Sequence, residues 1–316
     1  PDPDTPPRIW WCTTGSLTFL PIHAAGIYDS HTDDAQLSSY AISSYTPTLS
    51  ALLQPSKFTS NSSFKVLSVI EASPPGATYI PNAELELEHI RRHFADKHHL
   101  VLEGPEATRP RVTEEMKECN WLHLACHGVQ NASRPTKSAL LLDDGHLTLE
   151  EIIKLSLPKA EFAFLSACQT TAGDEQLSEE AVHIAGGMLL AGYRGVVATM
   201  WSIQDELAPE VADEFYAHLL REGGRPDSKK AAEALHISIQ RLRKKQNLPL
   251  TAWVPFVHLA EWNASGRHWL IDFLTSALPP PHWEETVKPL PIYHKILDVS
   301  RSSKRKFYLQ HPTDMR

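Results

Sequence analysis

Short apolar runs alternate along this chain with longer segments in which apolar residues recur at helical spacing. Ile9-Trp10-Trp11-Cys12 is the first run, and Thr13-Thr14-Gly15 ends it, as expected of a strand entering a turn. Residues 40–45 predict a second strand, followed by a short helix near 48–53. From residue 64 the alternation becomes regular. Strands are expected over 64–70, 100–102, 120–125, 161–166 and 195–200, and helices over 82–94, 108–117, 150–155, 179–191, 209–220 and 228–245. In the first of these helices Asn82 can cap the N-terminus, while Leu87, Ile90 and Phe94 share a face. Val211, Phe215 and Leu219 make one later stripe, and Leu235, Ile239 and Leu242 another. Residues 138–142 and 146–148, joined through Asp143-Asp144-Gly145, read as a hairpin. Strands that alternate with helices imply βαβ units, a mostly parallel sheet and helices on both of its faces. In such a sheet, chemistry gathers at the carboxyl ends of the strands.

Proline and charge divide the chain further. Residues 1–7 hold four prolines and form an extended linker, 8–262 carry the alternating pattern, and 263–316 form a Pro-rich extension with a basic end. Within the middle part, 8–60 is an opening segment and 61–262 the α/β core. The start PDPDTPP lacks an initiator Met and the features of a signal peptide, so a longer polypeptide with an upstream part is expected. The net charge of −8 hides a +4 tail over 301–316 and a −12 body. An acidic body disfavours a nucleic-acid partner and suits a basic partner or substrate. Hydrophobic residues at 42% and charged residues at 22% disfavour disorder and coiled coil. The most apolar stretch, 184–201, is broken by Arg194 and four glycines, so no membrane span is expected. Cys12, Cys119, Cys126 and Cys168 contain no CxxC and are too few for a disulfide framework, which points to a reducing, intracellular and cytoplasmic setting.

Two of the expected strands end in reactive residues. Trp121-Leu122-His123-Leu124-Ala125 runs into Cys126-His127-Gly128, and Phe162-Ala163-Phe164-Leu165-Ser166-Ala167 runs into Cys168-Gln169. If these strands are neighbours, His127 and Cys168 lie on one edge. A thiolate attacks a peptide carbonyl, and a nearby imidazole both generates the thiolate and protonates the leaving amine. Gly128, without a Cβ, lets backbone approach a scissile carbonyl, and Ser166 and Ala167 leave room. Each residue alone has a plainer reading as packing, because cysteine is among the most buried residue types.

Several spaced segments together resemble the CHAT family, a caspase-like domain often found beside tetratricopeptide repeats. They are GSLTFLPIHAAG, SSYTPTLSALL, LHLACHG, SALLLDDGHLTLEEI, the long segment from FLSACQTTAGDEQL to FYAHLL, and WVPFVHLAEW, which together cover about 8–262. The resemblance implies a three-layer α/β/α caspase-like fold and a cysteine endopeptidase acting through a thioester. It makes His127 the general base and acid, Cys168 the nucleophile, and the N–H groups of Gly128 and Cys168 the oxyanion donors. It also implies a protein or peptide substrate and control by upstream repeats or a regulatory protein. Gln169 stands where that family usually carries Glu, and the closing strand lacks its usual glycine. A catalytically silent scaffold for assembly and signalling is the alternative from another class, and acyl transfer a third.

Asp174, Glu175 and Asp205 are candidates for a pocket that takes a basic side chain before the scissile bond, as in some caspase relatives. Carboxylates after the nucleophile are equally explained by a helix dipole, and Asp205 by capping. Cys119, His123, Cys126 and His127 are dense in the sequence, but Cys126 and His127 point to opposite faces of a strand, so no metal and no cofactor are expected. His123 reads as a core or supporting residue, and Gly186-Gly187 as close helix packing.

Overall fold

The computed structural model describes residues 6–13, 17, 20–28, 36–47, 64–129, 131, 134–166, 181–201, 203, 206–223 and 225–260, with side chains given from 184 onward in the helix that starts at 181. Its elements follow the alternation of the sequence. They are β1 (Arg8–Trp11), β2 (Ile42–Tyr45), β3 (Val66–Glu71), α1 (Asn82–His93), β4 (His99–Glu103), α2 (Arg109–Glu118), β5 (Trp121–Cys126), β6 (Gly128–Val129), β7 (Ala139–Leu142), β8 (Gly145–Thr148), α3 (Leu149–Lys154), β9 (Phe162–Leu165), α4 (Ala181–Ala191), β10 (Gly195–Thr199), α5 (Leu207–Leu220), α6 (Ala231–Gln246), α7 (Leu250–Trp253) and β11 (Phe256–Ala260). The expected helix near 48–53 lies outside the described residues.

Among the described residues eight strands form one sheet, in the order β1-β2-β11-β10-β9-β5-β3-β4. Neighbours run parallel throughout except β10 and β11, which are antiparallel. A second sheet of three strands, β6-β7-β8, is antiparallel. The central strands are buried on both faces, so they read as continuous apolar runs rather than as alternation. Leu122, Leu124, Ala163 and Leu165 pack on one face with Met116 of α2, Ile152 of α3 and Met188 of α4. Trp121, Phe162 and Phe164 pack on the other with Phe215 of α5 and Leu235 of α6, while Ile70 and Ala125 meet Leu87 of α1. The result is the three-layer α/β/α arrangement with a mostly parallel sheet that the sequence implies. All of these elements belong to one compact unit, Pro1–Trp262.

Local chemistry explains where several elements start. Thr148 caps α3 through a reciprocal box: its hydroxyl accepts from the Glu151 N–H, and the Glu151 carboxylate accepts from the Thr148 N–H. Asn82 is not the cap expected of it. Pro81 takes the boundary position with helical backbone angles, which leaves Asn82 inside the first turn. Gly187 lets α3 and α4 touch, since a Cβ there would lie 2.1 Å from Leu149 Cδ1. Gly186 has open space around it and is not a packing contact.

Candidate active site

β5 and β9 are adjacent and parallel, with Trp121 opposite Phe162 and Leu124 opposite Leu165. The Ser166 N–H donates to the Leu124 carbonyl at 2.8 Å, carrying the ladder one residue past the end of β9. The strands that lead into the two candidate catalytic residues therefore run side by side toward one edge. Cys168 itself lies outside the described residues, as do Asp174, Glu175 and Asp205.

His127 sits where the chain leaves the large sheet for the small one. Its carbonyl accepts from the Leu141 N–H at 2.8 Å, and its side chain is buried. Ring atom Nε2 is in hydrogen-bond contact with the Thr78 carbonyl, so it donates there. In the neutral ring, Nδ1 then carries the lone pair. Sequence explains why Thr78 is available. In Pro74-Pro75-Gly76-Ala77 the Ala77 N–H returns to the Pro74 carbonyl at 3.1 Å with Gly76 at φ +83°, a turn that favours Pro at the first central position and calls for Gly at the second. The Ile80 N–H bonds the Ala72 carbonyl at 2.8 Å and closes the loop, which presents Thr78 to the imidazole.

Gly128 pairs with Leu140, and the bond from Leu141 to His127 makes this a non-hydrogen-bonded pair of the antiparallel ladder. The Gly128 N–H is thus not committed to β7. A Cβ at Gly128 would meet Ile184 Cδ1 at 3.5 Å and the Ala139 carbonyl at 4.0 Å, ordinary contacts that the fold itself would accept.

Glu71 ends β3 opposite Cys126, one residue from His127, and is 2% exposed. Oε1 accepts from the Ser73 N–H at 3.0 Å, while Oε2 is buried without a hydrogen bond among the described residues. Burial pushes this carboxyl above its ordinary range and Asp143 adds to the rise, against the Ser73 bond and the attraction of His127. Two of the remaining cysteines are packing. Cys126 is fully buried in the core, and burial pushes the Cys119 thiol up to about 12. Cys12 is half-buried. Among the described residues no three His, Cys, Asp or Glu side chains gather as a metal site requires.

The profile of the CHAT domain matches residues 2–264. This chain belongs to the CHAT domain family. Among solved structures, this CHAT domain is similar to gingipain R, described as an Arg-specific cysteine proteinase, with 11% identity and a TM-score of 0.47 over 73% of this chain and 56% of that one. A complex of the pro- and mature domains of Porphyromonas gingivalis RgpB gives 11% identity and a TM-score of 0.40 over 62% of this chain and 47% of that one. The CHAT domain chain thus spans about half the length of these solved chains. No curated protein matches it in sequence.

Two features of this CHAT domain escape a reading of motifs. Glu71 is signalled only by a carboxylate ending a strand that is apolar but for Ser68, in VLSVIE. The contact with Thr78 involves a backbone carbonyl, which no side-chain pattern encodes. Its sole trace is the turn Pro74-Pro75-Gly76.

Proposed function

We propose that the chain is a cysteine endopeptidase domain in which His127 and Cys168 form the catalytic dyad. The observation that carries this is the placement of His127: buried at the carboxyl end of β5, oriented by Thr78, beside the strand that leads into Cys168. His127 Nδ1 takes the proton of the Cys168 thiol, and the thiolate adds to the scissile carbonyl carbon. The oxyanion that forms accepts from the N–H groups of Gly128 and Cys168. As the carbon–nitrogen bond breaks, His127 returns its proton to the leaving amine, and a thioester remains. Water then adds with His127 as base, releasing a carboxylate and the free thiol.

An acidic pocket drawn from Asp174, Glu175 or Asp205 would take a basic side chain before the scissile bond, in keeping with the acidic body of the chain. Control by upstream repeats or a protein partner belongs to the same reading. The burial of His127 favours a second reading, a silent scaffold that uses the fold for assembly. Peptide substrates incubated in heavy-oxygen water separate the possibilities. A peptidase puts the label into a new C-terminal carboxylate, an acyl transferase joins the acyl group to an amine without label, and a scaffold leaves the peptide whole.

A further inference from the structure

A buried polar cluster joins β5, α1 and the residue just past β9, ahead of both proposed dyad residues in the sequence. Glu86 of α1 is 2% exposed and His123 of β5 is fully buried. Glu86 Oε2 accepts from the Ser166 hydroxyl at 2.8 Å, and Glu86 Oε1 lies 3.0 Å from His123 Nε2 at an angle outside hydrogen-bond geometry. His123 Nδ1 is 3.0 Å from the Tyr216 hydroxyl of α5, and the ring stacks on Phe164 of β9 with centroids 5.0 Å apart. One side chain, Glu86, therefore bonds the residue two before Cys168 and lies against the residue four before His127. Tyr216 and His99 are titratable neighbours on the packed elements, and His93 of α1, 2.7 Å from Asp213 of α5, lies against Tyr216 with ring centroids 6.3 Å apart. His99 bonds Ser68 at 2.8 Å and is held neutral, mainly by burial, with a pKa near 4.

This cluster is poor as a source of stability. Buried polar groups with an incompletely aligned partner cost desolvation that apolar packing would avoid. Its geometric effect is more specific. The Ser166 backbone is fixed by Leu124 of β5 and its side chain by Glu86 of α1, so the end of β9 is held from two directions just before the chain continues toward Cys168. We propose that Glu86 is a positioning residue, which through Ser166 and His123 sets the placement of the nucleophile relative to the imidazole. The proposal rests on the peptidase reading above.

The test measures the rate at which iodoacetamide alkylates Cys168 in the full chain, resolved by mass spectrometry, from pH 5 to 9, for the wild type, Glu86→Gln and Ser166→Ala. The half-buried Cys12 serves as an internal reference thiol. The wild type should react at Cys168 far below the ordinary thiol range of about 8.5. Both variants should shift that inflection upward and lower peptide turnover by about a hundredfold, with Cys12 unchanged and the chain still folded by thermal melt. Ser166→Ala removes one hydroxyl and decides the matter if Glu86→Gln does not fold. Folded variants with the wild-type profile and turnover overturn the positioning role and leave the peptidase reading intact. An ordinary thiol profile in the wild type together with no peptide turnover overturns both, and an ordinary profile with turnover overturns the positioning role alone.

Discussion

At the scale of single residues, the proposed dyad predicts losses that do not add. Cys168→Ala and His127→Ala should each reduce turnover by about a thousandfold or more, and the double variant should be little worse than either, because neither group works without the other. Additive losses in peptide hydrolysis would separate the two residues. Glu71 makes a different prediction. Its carboxyl is raised above the ordinary value of 4.5, so the folded chain holds a proton that the unfolded chain has released. That contribution is complete below about pH 4.5 and is lost as the pH climbs through the raised folded value. Glu71→Gln should therefore unfold at a urea concentration equal to or above that of the wild type at pH 7, with the advantage shrinking toward pH 4.5. A variant markedly weaker at pH 7 would mean that the charged carboxylate is itself a stabilising partner. Gly128→Ala should fold normally, since its Cβ meets only ordinary contacts, so any loss of turnover reports the approach of substrate.

At the scale of elements, the α3–α4 contact yields a paired test. Gly187→Ala drives a Cβ into Leu149 and should cost about 1–3 kcal/mol, whereas Gly186→Ala, which meets nothing within 4 Å, should gain about 0.5–1 kcal/mol from helix propensity. Denaturant midpoints of the two variants should move in opposite directions. The same region shows what a sequence can and cannot convey. Strands β3, β5, β9 and β10 were legible because strands buried on both faces are continuous apolar runs with Gly, Asn or Pro near their ends. The adjacency of β5 and β9 was only a condition in the sequence, because β6, β7 and β8 intervene along the chain, and the structure supplies it. β6 was not legible, because two residues have no periodicity, and its pairing with β7 is set by where the chain turns after His127. Asn82 lost the cap because Pro81 already holds helical angles. Gly186 and Gly187 are identical in sequence, and only the position of Leu149 distinguishes them.

At the scale of the whole molecule, the large sheet is tied across its outer strands by polar groups that must stay uncharged or be shared. Arg8 of β1 donates to the Ser44 hydroxyl of β2 at 2.9 Å and lies 3.3 Å from His258 Nδ1 of β11, and burial lowers the guanidinium to about 10. His258 is pushed well below its ordinary value, first by burial and then by Arg8. Burial lowers His23 to about 4 against the bond that Nε2 donates to the Val254 carbonyl at 2.9 Å. These rings are neutral in the fold, so the unfolded chain binds more protons below about 6.5, and stability should fall as the pH drops from there toward 4. Melting midpoints that stay level across that interval would contradict the neutral burial of these histidines. The central claim concerns the edge where β5 and β9 end, and one measurement reaches it directly: labelling of the full chain by an electrophilic peptide ketone, with the adduct mapped by mass spectrometry. A Cys-His peptidase gives an adduct at Cys168 that disappears in Cys168→Ala and slows by at least about a hundredfold in His127→Ala. No adduct at Cys168, or an undiminished rate without His127, contradicts it.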